Sequence, residues 1–168
     1  MREFNTSGPC DPKEHYCVLR ETLLKDGLTK IKKNRFFTIW APRQSGKTTY
    51  FQLLIKEIDK NYPEFKAIWI SFEAYTNYSI ESFYRSVSRA LSKRLKEVEI
   101  FVDTEGFLVF LENFYKTCEK KLVLIIEEFE GIPKIVIQEF MHGLRRIYHE
   151  REYNNIQSVI LVLSLIHI

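Results

Sequence analysis

The stretch FFTIWAPRQSGKTTY, residues 36–50, constrains the fold more than any other part of the sequence. Residues 36–40 form a β-branched and aromatic run, which predicts a buried strand. Residues 48–60 carry apolar side chains at helical spacing, which predicts a helix. A glycine-containing loop that joins a buried strand to a helix is suited to bind phosphate, because the first N–H groups of a helix have no partner within it.

The loop APRQSGKT fits the pattern G-x-x-x-x-G-K-[ST], except that Ala41 replaces the first glycine. We expect this change to be tolerated, because Ala41 lies at the strand exit and adds only a methyl group. Gly46 should let the backbone approach the anion, and Lys47 should reach the β- and γ-phosphates. Thr48 should ligate Mg²⁺. The other predicted nucleotide-binding residues of the loop are Pro42, Arg43, Gln44, Ser45 and Thr49.

The rest of the chain alternates strand patterns with helix patterns. The strand patterns lie at 67–72, 122–126 and 158–163, and the helix patterns at 18–33, 80–95, 105–119 and 133–151. Because these strands are continuous apolar runs, they predict a mainly parallel sheet covered by helices on both faces. We therefore predict a three-layer α/β/α fold whose core spans 36–162, after an irregular lead-in plus a helix at 1–35.

Two carboxylates follow the most apolar strand, in LVLIIEEFE. An acidic residue at this place can hold Mg²⁺ from the side opposite the loop, so Glu127 is the predicted second magnesium ligand. Glu128 should point the other way, because side chains alternate along a strand, and it is the candidate general base for the attacking water. The alternative is a pair of carboxylates that only solvates the strand end.

Together APRQSGKTT and LVLIIEEFE resemble the P-loop ATPases of the AAA+ and STAND clade, in which a glutamate follows the magnesium-binding acid. The lead-in FNTSGPCDPKEHY is similar to the N-terminal segment of bacterial AAA-like ATPases. The resemblance implies a strand order of 5-1-4-3-2 and places the lead-in near the adenine. Tyr16 and Val18 are therefore candidates for contact with the base. Two residues depart from the family pattern: Glu127 replaces an aspartate, and Ala41 replaces a glycine.

The resemblance implies ATP binding and Mg²⁺-dependent hydrolysis by a core that drives an effector or remodelling domain, in the same chain or through a homo-oligomer. Lys47 and Glu128 would be the catalytic residues. One alternative is a nucleotide-locked adaptor with negligible turnover. Another is a small-molecule kinase, which would need an acceptor-binding segment and lid arginines after the fourth strand.

The last six residues, LSLIHI at 163–168, match a translation of CTGTCTCTTATACACATC, the end of a transposon adapter used to prepare DNA for sequencing. We therefore expect them to lie outside the natural domain. The family has a polar sensor residue, a fifth strand and a lid or effector at this point. We accordingly expect residues 1–168 alone to bind nucleotide weakly, to turn over slowly and to associate.

Composition adds weaker constraints. The chain has 168 residues, a formal charge of +3 and three cysteines, at no framework spacing. These cysteines favour reduced thiols and a cytoplasmic location over a metal site at Cys10, His15 and Cys17. No apolar run is long enough for a membrane span. Nucleic-acid binding stays open but unsupported, because the mild net charge makes basic side chains more typical of a solvated surface. Such side chains occur at Arg85, Arg89, Lys93, Arg145 and Arg146.

Overall fold

The computed structural model of the chain describes residues 3–4, 10–11, 13–95 and 98–165. They form five α-helices, four strands and a short 3-10 helix at Phe129–Gly131. The helices are α1 (Glu21–Lys32), α2 (Lys47–Asn61), α3 (Ile80–Ser92), α4 (Thr104–Cys118) and α5 (Lys134–His149). The strands are β1 (Phe37–Pro42), β2 (Phe65–Ser71), β3 (Lys121–Glu127) and β4 (Ile156–Leu165).

The four strands are parallel and lie in the order β1-β4-β3-β2. This confirms the predicted parallel sheet and the 1-4-3-2 part of the implied order; the implied fifth strand has no counterpart in the described residues. Strands of a parallel sheet all end at the same edge, so the loop after β1 and the turn after β3 lie at one edge with β4 between them. This edge carries the candidate site, as expected for an open α/β sheet.

Both faces of the sheet are covered. Along β3, Leu122, Leu124 and Ile126 belong to a core formed with α3, α4 and α5. Val123 and Ile125 belong to the core formed with α1 and α2 on the other face. Side chains alternate along a strand, so a strand buried on both faces has to be apolar at every position. This double burial explains the unbroken run LVLII and confirms the three-layer fold.

Several element ends differ from the predicted ones. β1 continues through Ala41 to Pro42, and α3 ends at Ser92 rather than at 95. β4 is longer at both ends and includes residues 163–165 of the LSLIHI segment. Parallel pairing with β1 accounts for this extension, since Ser164 lies opposite Ala41. The assignment of 163–168 to an adapter, like the domain boundaries, stays a prediction, and 166–168 lie outside the described residues.

The expectation of reduced thiols is wrong for two of the three cysteines. Cys10 and Cys17 form a disulfide, whereas Cys118 is free. Sulfur atoms bonded to each other are not available as thiolate ligands, which removes the open alternative of a metal at Cys10, His15 and Cys17. The disulfide closes a short loop of the lead-in, where Glu3 and His15 also form an isolated bridge. The cytoplasmic location stays a prediction. None of the described helices combines the length and apolar character required for a membrane span.

The turn after β3 packs closely against the end of β2 at Gly131. A Cβ atom on Gly131 would lie 2.1 Å from the carbonyl oxygen of Phe72. We expect Gly131→Ala to lower the free energy of unfolding by about 1–3 kcal/mol, because backbone atoms cannot move aside as a side chain can. Urea unfolding measures the change.

Gly143→Ala is the control for this prediction. A Cβ atom at Gly143 would meet the end of the flexible Leu108 side chain, 2.9 Å from Cδ2, and alanine favours the helix. We expect a much smaller loss of stability, or a gain. Equal losses in the two variants would contradict the close backbone approach at Gly131.

Candidate functional site

The loop between β1 and α2 has the backbone conformation of an anion-binding turn. Gln44 and Gly46 have positive φ angles of 58° and 81°, and Gly46 is the N-cap of α2 without any side-chain capping bond. The left-handed conformation at Gly46 favours glycine. The first N–H groups of α2 therefore remain available to a ligand, at the positive end of the helix dipole.

Lys47 and Ser45 place polar groups inside this loop. The Lys47 ammonium donates a hydrogen bond to the carbonyl oxygen of Pro42 over 3.1 Å, and the carbonyl oxygen of Ala41 lies 3.5 Å away. Lys47 is only 9% exposed. The Ser45 hydroxyl is buried and has no hydrogen-bond partner among the described residues. A buried hydroxyl without a partner is unusual, and a bound phosphate would supply one. Pro42, Arg43 and Gln44 are exposed along the loop.

The two predicted magnesium ligands lie side by side. The Thr48 hydroxyl donates to Glu127 Oε1 over 3.1 Å, which joins the first turn of α2 to the end of β3. A hydroxyl and a carboxylate are the oxygen ligands that Mg²⁺ prefers, and Mg²⁺ usually takes one or two carboxylates together with phosphates and water. The described residues contain no group of three or more His, Cys, Asp or Glu that could hold a metal alone. This donor set fits Mg²⁺ bound together with a nucleotide.

The electrostatics of Glu127 follow from its buried position. Glu127 is 7% exposed. Burial raises the pKa of its carboxyl group above 4.5, and the negative charge of Glu128 raises it further. The Thr48 hydroxyl, the Lys47 ammonium and the Trp69 indole lower the pKa of Glu127 but do not offset burial. A nearby divalent cation would favour the ionised form of such a carboxyl group.

Glu128 diverges from Glu127, but not for the predicted reason. Glu128 lies beyond the last residue of β3 and has a positive φ of 51°, so this sharp turn sets its direction rather than strand alternation. Its Oε1 atom accepts a hydrogen bond from the Ser164 hydroxyl over 2.8 Å, at the end of β4. Glu130 Oε1 accepts from the Ser164 backbone N–H over 3.0 Å.

The described lead-in residues Cys10, Tyr16 and Val18 lie beside the start of α2, where the resemblance places a nucleotide base. Tyr16 and Val18 line a small cleft of about 140 Å³ together with Gly46 and Thr49. The backbone N–H of Cys10 donates to the Thr49 hydroxyl over 3.0 Å. The structure therefore brings Tyr16 and Val18 beside the phosphate loop, although both side chains are largely exposed.

Arg20 is a site residue that the sequence analysis did not identify. Its guanidinium Nη2 atom donates to the carbonyl oxygen of Ser45 over 2.7 Å. Arg20 has a positive φ of 49° and lies directly before α1. One signal in the sequence could have found it: the N-terminus of a helix disfavours a positive charge, so an arginine there needs another partner.

The basic side chains outside the site are partly paired. Arg85 contacts Glu81 over 2.8 Å, and Arg146 lies 3.5 Å from Glu105 and 3.2 Å from Glu112. These exposed pairs agree with a solvated surface, and each contributes little to stability.

The fold and the sequence comparison now define the class of protein. A parallel β1-β4-β3-β2 sheet, with a Gly-Lys-Thr loop between β1 and α2, is the architecture of a P-loop AAA+ ATPase module that binds nucleotide. A family model described as "AAA domain" matches residues 30–164, so the chain belongs to the AAA domain family. No match was found among curated proteins.

Solved structures show the same fold at low sequence identity. The chain is similar to the Aeropyrum pernix ORC1 protein in complex with DNA, with a TM-score of 0.60 and 14% identity, covering 88% of this chain and 39% of that one. It is similar to the Aeropyrum pernix ORC2 protein in ADPNP-ADP complexes, with a TM-score of 0.56 and 20% identity, covering 86% and 40%. For Drosophila ORC bound to poly(dA/dT) DNA and Cdc6, the TM-score is 0.57 and the identity 13%, covering 87% and 25%. The chain thus spans less than half the length of these proteins.

The raised pKa of Glu127 predicts how stability depends on pH. The folded state disfavours the ionised carboxylate of Glu127, so ionisation lowers the free energy of unfolding. This loss of stability is absent at a pH well below 4.5, where the carboxyl group is protonated in both the folded and the unfolded state. It is complete above the raised pKa of the folded state. We expect Glu127→Gln to raise the ligand-free melting temperature at pH 7, by a difference that shrinks as the pH falls towards 4.5. Calorimetry across this pH range measures it.

Glu99→Gln removes an exposed carboxylate and is the matched control for net charge. We expect it to leave the melting temperature nearly unchanged at every pH. A lower melting temperature for Glu127→Gln at pH 7 would mean that the folded state stabilises the ionised carboxylate, contrary to its burial.

Proposed function

We propose that this chain is the ATP-binding and ATP-hydrolysing core of an AAA-like or STAND ATPase, which acts with Mg²⁺. The observation that carries the proposal is the hydrogen bond between Thr48 and Glu127. It brings together two residues that are 79 positions apart in the sequence, and it does so at the edge of the sheet where the phosphate-binding loop begins a helix.

The loop would hold the triphosphate. Backbone N–H groups at the start of α2 surround the β-phosphate, and the Ser45 hydroxyl gains the partner that it lacks. The Lys47 ammonium leaves the Pro42 carbonyl oxygen and contacts the β- and γ-phosphates, where its charge stabilises the transition state. The lead-in covers the base, with Tyr16 in the cleft beside Thr49. Arg20 holds the loop through the Ser45 carbonyl oxygen.

Thr48 and Glu127 would hold Mg²⁺, either directly or, for Glu127, through a water molecule. When bound, the cation neutralises charge on the phosphate oxygens. The positions of Thr48 and Glu127 determine on which side of the nucleotide the cation would bind. Because Glu127 is largely buried, its electrostatic interaction with a cation is weakly screened by bulk solvent.

Glu128 would accept the proton of the attacking water. It follows Glu127 directly, and its positive φ turns its carboxylate away from the Thr48 contact. This separation of two adjacent carboxylates supports two roles, one for the cation and one for the proton.

We propose that ATP hydrolysis drives an effector domain of the same protein or acts on other copies of it, as the resemblance to AAA-like and STAND ATPases implies. The DNA in the ORC structures belongs to those proteins.

One variant separates hydrolysis from a nucleotide-locked adaptor. We expect Glu128→Gln to keep MgATP affinity while it lowers turnover by roughly 10²–10⁴-fold, the scale for losing a general base. Affinity is measured by calorimetric titration, and turnover by phosphate release in single-turnover experiments, which detect slow hydrolysis.

Glu99→Gln removes an exposed carboxylate outside the site and is the matched control for the loss of one negative charge. It should keep most of the turnover. Tight MgATP binding with no turnover above background in the unmodified chain would favour the adaptor. Equal turnover in Glu128→Gln and the unmodified chain would exclude Glu128 as the base.

A further inference from the structure

Trp69, on β2, carries a buried polar group that the site described so far does not use. Its indole Nε1 atom is fully buried and has no hydrogen-bond partner among the residues that the structure describes. The N–H group of a buried tryptophan normally finds an acceptor. Such an unpartnered donor in a native fold calls for an explanation, and a ligand-dependent contact is one.

The register of the sheet brings Trp69 close to the candidate magnesium site. Trp69 lies opposite Ile125, and Ser71 lies opposite Glu127, two positions further along both strands. Since side chains two positions apart share a face, Trp69 and Glu127 are on the same face of the sheet. This is the face covered by α2, which carries Thr48.

Two contacts link the indole ring to its surroundings. A side-chain interaction of hydrogen-bond type with the Trp69 indole is among the causes that lower the pKa of Glu127, yet Nε1 reaches no acceptor among the described residues at full hydrogen-bond geometry. The indole N–H and the Glu127 carboxylate therefore lie near each other without completing a hydrogen bond. The guanidinium carbon of Arg94 lies 5.8 Å from the centroid of the Trp69 ring. A cation at this distance is attracted to the face of the ring and limits the movement of the ring.

We propose that Trp69 is a positioning residue for Glu127: its indole N–H donates a hydrogen bond to the Glu127 carboxylate when Mg²⁺ and nucleotide occupy the site. The carboxylate is then held between the Thr48 hydroxyl on one side and the Trp69 indole on the other. Glu127 has one more rotatable bond than the aspartate that is usual at this position in the P-loop ATPases that the chain resembles. A second hydrogen-bond donor offsets the extra conformational freedom of the longer side chain. This inference rests on the proposed magnesium role of Glu127.

The first test is a spectroscopic readout on the unmodified chain. The sequence contains two tryptophans, Trp40 and Trp69. A ¹H–¹⁵N spectrum of the chain therefore gives two indole resonances, and Trp40→Phe assigns them. Trp40 is 62% exposed and serves as the internal control.

On addition of MgADP, we expect the Trp69 indole proton to move downfield, as for a proton that enters a hydrogen bond. ADP without Mg²⁺ should move it much less. A Trp69 resonance that does not respond to MgADP at saturation would overturn the proposal.

The second test is the Mg²⁺ dependence of ADP affinity. Trp69→Phe removes the N–H group and keeps an aromatic ring. We expect Trp69→Phe to raise by about tenfold or more the Mg²⁺ concentration at which half of the Mg²⁺-dependent increase in ADP affinity is reached. This is the scale for losing a hydrogen bond to a charged group. ADP affinity without Mg²⁺ should stay the same, which a general loss of structure would not allow. An unchanged Mg²⁺ dependence in a folded Trp69→Phe variant would contradict the proposal.

Glu127→Gln separates this inference from the function on which it rests. If Glu127→Gln weakens the Mg²⁺ effect and Trp69→Phe does not, the positioning role alone fails. If Glu127→Gln also leaves the Mg²⁺ effect intact, the proposed magnesium role of Glu127 fails, and the inference fails with it.

Discussion

The hydrogen bond between Thr48 and Glu127 is the contact on which the arrangement of the site depends. It joins the first turn of the helix after β1 to the last residue of β3, across the intervening strand β4. A parallel sheet makes this contact possible, because all its strands end at the same edge. The same geometry puts Lys47, Gly46 and the start of α2 at that edge, so one buried sheet supplies both halves of the site.

The site is built at the expense of local stability. Glu127 is a buried carboxyl group whose pKa burial raises, the Ser45 hydroxyl and the Trp69 indole lack partners in the described residues, and Gln44 and Glu128 have positive φ angles. Unsatisfied buried groups and left-handed residues are unfavourable in an empty site, and they often mark functional regions. In this chain they lie at or beside the carboxyl edge of the sheet, where a nucleotide and a cation would satisfy them. The two cores below that edge supply the stability that offsets them.

The sequence predicted the fold because its strands are buried on both faces. The runs LVLII and AIWISF have no polar alternation, and this indicates a covered parallel sheet more strongly than any single motif does. The loop and the acidic residue were found because glycine, lysine and threonine are needed at fixed spacing. Arg20, the Cys10–Cys17 disulfide and the unpartnered Trp69 indole were not found. These three features depend on contacts between segments that are remote in sequence or on the conformation of a local turn. The periodicity of a helix or a strand carries no information about such contacts or turns.

Calorimetric titration of the chain with adenosine, ADP and ATP in the presence of Mg²⁺ measures whether the β1–α2 loop binds the phosphate chain of a nucleotide. We expect affinity to rise by about tenfold or more from adenosine to ADP, because charged phosphates gain hydrogen bonds from the loop. We also expect Lys47→Ala to remove most of the gain in affinity from ADP to ATP and to leave adenosine affinity unchanged, since the Lys47 ammonium would contact the phosphates alone. Equal affinities for adenosine, ADP and ATP, or the same gain from ADP to ATP in Lys47→Ala, would contradict phosphate binding by this loop.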